Sequence, residues 1–182
     1  VRNQYHHCTD IVPTILDSVQ RGSDLMAHLE VQAIGNLDRH LHFAFLSDFP
    51  DAATATLPRD MEILEAARAG IEALNVKYAG EGGNRFFLFH RLPQWNAQEG
   101  LWMGWERKRG KNEESTRLLR GATDSSFTVQ VGDLSILPEV RYCITLDSDT
   151  RLPRDAARQL IGIITHPLNR ATYDPVAARD NQ

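Results

Sequence analysis

Arg141-Tyr-Cys-Ile-Thr-Leu-Asp147-Ser-Asp149-Thr150 is a short apolar run that ends in two aspartates spaced two apart. In an extended strand, side chains at i and i+2 share a face. Both carboxylates are therefore expected to leave the core together at the strand's C-terminal end. Such a pair is a poor way to build a core and a good way to hold a divalent cation. In open α/β sheets the carboxyl ends of strands are also where ligands bind. The plainer alternative is that the acidic residues simply end the strand as turn formers.

Working outward, strands and helices alternate. Residues 10–14 read as a short strand running into a loop, and 41–46 and 85–90 as compact apolar strands. A helix is expected over about 23–34, with Leu25, Met26, Leu29 and Ala33 on one face and Gly35-Asn36 as its stop. A second starts near Pro58, with Met61, Leu64, Ala67, Ile71 and Leu74 three or four apart. A third is expected from a cap at Asn112 to Gly121, and a fourth over about 154–165, stopped before Pro167. Gly80-Glu-Gly-Gly-Asn84 is a turn. This alternation predicts an α/β domain with a mainly parallel sheet flanked by helices.

At 182 residues, 42% apolar and 24% charged, the chain has the bulk of one ordinary globular domain. A net charge of −4 argues against a nucleic-acid partner. Cys8 and Cys143 sit in no metal-ligand spacing, and Cys143, inside an apolar run, is expected to be a buried thiol. No apolar run approaches the roughly 18–20 residues that cross a bilayer. The Val1 start and the polar end at 176–182 are expected of a piece of something larger. His6-His7 lacks a spaced partner for a metal.

Three other groups of residues bear on chemistry. Arg107-Lys-Arg109-Gly-Lys111 packs four cations into five positions just before the expected helix start at Asn112, which suits a phosphate, although most such clusters are solvated loops. Asp48, with Asp51 behind it, ends the 41–46 strand and suits either a base N–H or an Asx turn. Trp95, Trp102, Trp105 and Phe86, Phe87 and Phe89 are expected to be mostly core, an exposed Trp being suggestive of sugar stacking. For Asp147 and Asp149 the fitting ion is Mg²⁺, which is typically shared between one or two carboxylates and substrate phosphates. A phosphatase of the haloacid-dehalogenase type, with Asp147 as nucleophile, is the chemical rival, but Arg151 breaks its Asp-x-Asp-x-Thr/Val pattern.

The run 132–155, Gly-Asp-Leu-Ser-Ile-Leu-Pro-Glu-Val-Arg-Tyr-Cys-Ile-Thr-Leu-Asp-Ser-Asp-Thr-Arg-Leu-Pro-Arg-Asp, closely resembles the glycosyltransferase segment of cyclic β-1,2-glucan synthases. So do Glu99-Gly-Leu-Trp-Met-Gly-Trp-Glu-Arg-Lys-Arg-Gly-Lys111, residues 41–51 and His166-Pro-Leu-Asn169. The resemblance covers about 11–175. It implies a Rossmann-like GT-A fold that binds a nucleotide sugar, UDP-glucose, across the C-terminal ends of its strands, with Mg²⁺ or Mn²⁺. The family's parent proteins are large bacterial inner-membrane enzymes whose transferase domain faces the cytoplasm and extends a β-1,2-glucan.

By resemblance, Asp147 and Asp149 match the family's Asp-x-Asp, with Asp149 the direct metal ligand and Asp147 nearer the ribose or metal shell. Pro13 and Thr14 match the loop that borders the uracil, and Asp48 the acid that reads its N–H. Lys111 matches a lysine near the nucleotide. The acceptor-activating base and the Gln-x-x-Arg-Trp element of related transferases are absent from the 182 residues, so the base is expected beyond Gln182. The expected organisation is an atypical or frayed segment at 1–10, because residues 5–10 are polar for a buried parallel strand, then the nucleotide-sugar-binding part at 11–175, truncated before the acceptor half, and a polar tail at 176–182. The alternative in another class is a folded module that binds nothing by itself.

Overall fold

The computed structural model describes residues 7–79, 84–169, 172–174 and 179–181. In chain order the elements are β1 (His7–Ile15), α1 (Val19–Gly35), β2 (Leu41–Asp48), α2 (Asp60–Lys77), β3 (Phe86–Arg91), β4 (Gln94–Asn96), β5 (Leu101–Met103), α3 (Arg107–Leu119), β6 (Phe127–Val131), β7 (Val140–Thr145), α4 (Ala156–Ile164), β8 (Thr172–Asp174) and β9 (Arg179–Asn181). The central sheet runs β6-β3-β2-β1-β7. Its β3, β2, β1 and β7 are parallel and β6 is antiparallel to β3. The protein is thus an α/β domain with a mostly parallel sheet flanked by helices. The chain winds outward from β1 to β3 and then returns to place β7 on the other side of β1. That reversal opens a crevice at the carboxyl ends of β1 and β7.

Each face of the sheet buries an apolar layer. On one, Val12, Phe43, Phe45, Phe86 and Leu88 pack against Leu25, Leu29 and Ala33 of α1, Ile63, Leu64, Ala67 and Ile71 of α2, and Ala157 of α4. On the other, Ile11, Ala44, Leu46, Phe87 and Phe89 meet Leu137 and, from α3, Leu118 and Leu119. All eight residues of β2 are buried, as a strand covered on both faces requires.

Of the segment 1–10 expected to be atypical or frayed, residues 1–6 lie outside the described residues; from His7 onward the chain is strand β1, and Cys8–Thr14 are buried despite their polarity. Pairing on both edges is the reason, with Cys8 opposite Leu41 on β2 and Tyr142 on β7. Backbone hydrogen bonding overrides the side-chain composition here. The result is a polar group deep in the core. Asp10 is fully buried, neither carboxylate oxygen has a hydrogen-bond partner among the described residues, and burial pushes its pKa up to about 7.

α1 starts at Val19 rather than residue 23, because Ser18 caps it by accepting the Arg21 amide at 3.1 Å. Its end is the expected Asn36, which also accepts the Ala157 amide at 3.0 Å and so ties α1 to α4. α3 starts at Arg107 rather than at Asn112, so the basic run is helix and not the loop before it. Cys143 is exposed, since β7 is an edge strand with alternate residues facing out. The Phe86, Phe87 and Phe89 rings are buried, whereas Trp95 and Trp105 are exposed. His7 does find imidazole neighbours, its Nδ1 lying 2.7 Å from His42 Nε2 with the rings stacked and His40 edge-on. No cluster of three or more His, Cys, Asp or Glu suited to a metal occurs among the described residues. None of their helices is long and apolar enough to cross a membrane. The turn expected at 80–84 and the tail at 176–182 lie outside the described residues, except for Asn84 and for β9, which pairs antiparallel with β8.

Candidate functional site

The ends of β1 and β2, the loop after β7 and the first turn of α3 enclose a cleft of about 660 Å³. Pro13, Thr14, Asp48, Lys111, Asp147 and Asp149 all line it, joined by Arg21, Asp51, Arg107 and Lys108. All six residues singled out from the sequence are therefore brought together at the switch point of the sheet.

The two aspartates are placed differently from the strand-end picture. β7 ends at Thr145, and Leu146 is the last residue to bond back to β1, donating to the Ile11 carbonyl at 3.0 Å. Asp147 and Asp149 then sit on a turn closed by the Thr150 amide donating to the Asp147 carbonyl at 2.9 Å. Both are exposed to the cleft. Lys108 pairs with the Asp147 carboxylate, while Asp149 pairs with no cation among the described residues. The Arg21 guanidinium donates to the Ser148 hydroxyl at 3.4 Å, which draws a second cation to the same turn.

Below this open layer lies a buried ionic one. Asp48 accepts a two-pronged bond from Arg91, Nε to Oδ1 at 2.7 Å and Nη2 to Oδ2 at 2.9 Å, and Lys111 Nζ lies 3.0 Å from Oδ2. Lys111 also donates to the Thr14 carbonyl at 2.6 Å. Arg91 further reaches the carbonyls of Trp105 and Arg107 at 3.0 and 3.1 Å and the Glu114 carboxylate at 3.5 Å. Two cations and two carboxylates thus balance out of water, with backbone carbonyls taking the remaining N–H groups. Burial pushes the Lys111 ammonium below the usual lysine range, against the opposing pull of Asp48. Lys111 and Asp48 therefore clamp the β1 and β2 loops together as well as lining the cleft. The Thr14 hydroxyl is buried without a partner among the described residues, an unused polar group in the cleft wall.

Arg91 was not legible as a site residue. Its signal was faint: one cation closing an apolar strand, opposite an aspartate closing the next. The parallel register aligns them, Asp48 with Arg91 and, one step earlier, Ser47 with His90, whose side chains bond at 2.9 Å. The α3 start depends on the same layer. Gly110 lies so close to the Trp105 carbonyl that any Cβ would collide with it, and a Cβ at Gly104 would come within 2.5 Å of the Asp48 carboxylate. Gly110→Ala is expected to lower stability by about 1–3 kcal/mol, measured as a shift in urea midpoint at constant slope.

Fold and cleft together define a mainly parallel α/β domain with a cleft, lined by carboxylates and cations, at the topological switch point. No family model matches the chain. Over 166 residues, 91% of its length, it is 43% identical to the cyclic beta-(1,2)-glucan synthase NdvB of Rhizobium meliloti (strain 1021). The chain spans only 6% of the length of that synthase.

Proposed function

We propose that this chain is the donor-binding portion of a GT-A, family-2-like glycosyltransferase domain in a cyclic β-1,2-glucan synthase, and that its cleft takes UDP-glucose with Mg²⁺ or Mn²⁺. The observation that carries the reading is the convergence of Pro13, Thr14, Asp48, Lys111, Asp147 and Asp149 on one cleft at the switch point. The similarity to the glucan synthase supports the same reading.

The residues present fit a shared metal. Two open carboxylates on one turn are too few for an all-protein site and sufficient for a hard cation that keeps its waters and takes its other ligands from a diphosphate. Asp149, unpaired with any cation among the described residues, is the direct ligand, and Asp147 the nearer to the ribose or outer shell. Bound there, the metal would neutralise the charge that develops on the departing UDP. Lys108 and Arg21 line the same cleft and complement the phosphates. Pro13 and Thr14 border the base. Each carboxylate oxygen has a second lone pair, so Asp48 retains acceptor capacity toward a uracil N–H even while it holds Arg91. Asp147 and Asp149 serve the donor; deprotonation of the acceptor hydroxyl belongs to a different group. In the parent enzyme the domain would face the cytoplasm at the bacterial inner membrane and pass glucose to the growing glucan.

Titration calorimetry with UDP and MnCl₂ tests this. Saturable binding by the parent chain, weakened at least about tenfold (about 1.4 kcal/mol) in Asp149→Asn, is expected. Equal affinity in the two proteins would overturn the donor site, and absence of binding in both would favour a folded module completed by other parts of the synthase.

A further inference from the structure

The β4–β5 hairpin and the turn after it build a second cleft that donor binding leaves unused. It has a volume of about 540 Å³, and its walls include Gln94, Trp95, Glu99, Trp105, Glu106 and Arg107. Trp95 is 53% exposed and Trp105 49% exposed, so about half of each indole faces solvent. Large rings left open in this way are costly unless something covers them.

The fold holds both rings in place. Trp95 is paired across the hairpin with Trp102, the ring centroids 5.9 Å apart. The Trp105 carbonyl accepts from the buried Arg91 at 3.0 Å. Directly after it, Glu106 and Arg107 both take left-handed backbone angles, with φ of 50° and 44°. Neither is glycine, and two such residues in succession store strain of about 1–3 kcal/mol each. Strain of this kind persists only where surrounding contacts enforce it, and here it sits in the wall of the cleft, between Trp105 and the rest of α3.

The chemistry of the walls selects the ligand. Glu99 and Glu106 are acidic, and the one cation, Arg107, is already bonded to Asp51 and Glu99 at 2.9 and 2.8 Å. No cation among these walls is left for a phosphate, so a nucleotide is disfavoured and a neutral ligand fits. Open indole faces beside amides and carboxylates call for a molecule with an apolar face and a rim of hydroxyls. A β-linked glucopyranose has that form, its axial C–H bonds making the face and its equatorial hydroxyls the rim. Arg107 also lines the first cleft, so the two clefts adjoin.

We propose that Trp95 and Trp105 form a platform for a neutral β-glucan chain, beside the donor cleft. The choice of a β-1,2-linked chain rests on the proposed function above, whereas the sugar-binding platform does not. The test titrates a linear β-1,2-gluco-oligosaccharide into this chain, read by tryptophan fluorescence and calorimetry, with melting curves to confirm folding. Saturable binding is expected in the parent chain and in Asp149→Asn, weakened at least about tenfold in Trp95→Ala and Trp105→Ala and largely kept in Trp95→Phe. UDP affinity is expected to be unchanged in Trp95→Ala. Lack of saturable binding by the folded parent chain, or equal binding in Trp95→Ala, would overturn the platform. Since one variant removes the donor response and the other the oligosaccharide response, failure of either proposal leaves the other readable.

Discussion

Arg91→Met is expected to destabilise the fold by about 3–5 kcal/mol, a large share of the roughly 5–15 kcal/mol that holds a domain together. The loss is not that of one ion pair. Removing the guanidinium leaves Asp48 buried against Lys111 alone, strands the Trp105 and Arg107 carbonyls, and takes a cation away from Glu114. Arg91→Lys is expected to recover only part of it, because an ammonium cannot span both Asp48 oxygens and two carbonyls at once. The double variant Asp48→Leu/Arg91→Met is expected to lose less than the sum of its single variants, since each single change leaves a charge buried without its partner. Urea denaturation of the four proteins checks all three statements, and strict additivity of the two single changes would contradict the network. An exposed pair offers the contrast: breaking Arg59 from Glu62 is expected to leave the midpoint unmoved.

The second large effect is on pH. His42 and His90 are both buried, and burial lowers each pKa from 6.5 to about 4, whereas Asp10 is raised from 3.8 to about 7. Between pH 6.5 and 4 the unfolded chain takes up protons at the two histidines that the folded chain refuses. Stability therefore falls with acid across that window, by on the order of 3 kcal/mol for each histidine. Asp10 acts in the opposite sense. The folded chain keeps its proton up to about pH 7 while the unfolded chain releases it near 3.8, so stability falls as pH rises between those values. The full loss, on the order of 4 kcal/mol, is present above pH 7. Two histidine slopes against one aspartate slope make the net stability rise between about pH 4 and 6.5 and flatten above that. Asp10→Asn should remove the aspartate limb, giving a gain that begins above about pH 4 and is complete above about pH 7. Thermal midpoints from pH 4 to 9 measure it, and superimposed parent and variant profiles would show that the Asp10 carboxyl is not held neutral by the fold.

Much of this architecture was legible in the order of residues, for physical reasons. β2, β3 and β7 are apolar runs of strand length, and α2 carries its apolar residues at helical spacing, so local pattern and tertiary burial agree. Asp48, Asp147 and Asp149 stand out as acids that close apolar strands, whereas Pro13 and Thr14, and Lys111 as a single residue, are singled out only through the resemblance to the glucan-synthase segment. What failed to show is instructive. β1 is a strand because β2 and β7 flank it, and nothing in His7-Cys-Thr-Asp10 announces those neighbours. α3 begins within a basic run that looks like a solvated loop until Lys111 finds Asp48 and the Thr14 carbonyl in the interior. Trp95 and Trp105 resemble core residues by type, and only the hairpin geometry turns them outward. Asp48 and Arg91 meet through strand register, which spacing along one strand does not encode.

The order in which the strands are laid down has a temporal consequence. β1, β2 and β3 follow one another as consecutive units, so a growing polypeptide can close them early through contacts of short sequence separation. The other edge of β1 waits for β7, whose Val140 pairs with His7 across a long stretch of sequence that includes β2, β3 and three α-helices. Contacts so distant carry the largest loop-closure entropy and form late. Asp147 and Asp149 arrive just after β7, the last strand to join the central sheet, so the cleft is completed onto a sheet already standing. During synthesis the protein would pass through a stage that has most of its core and no site.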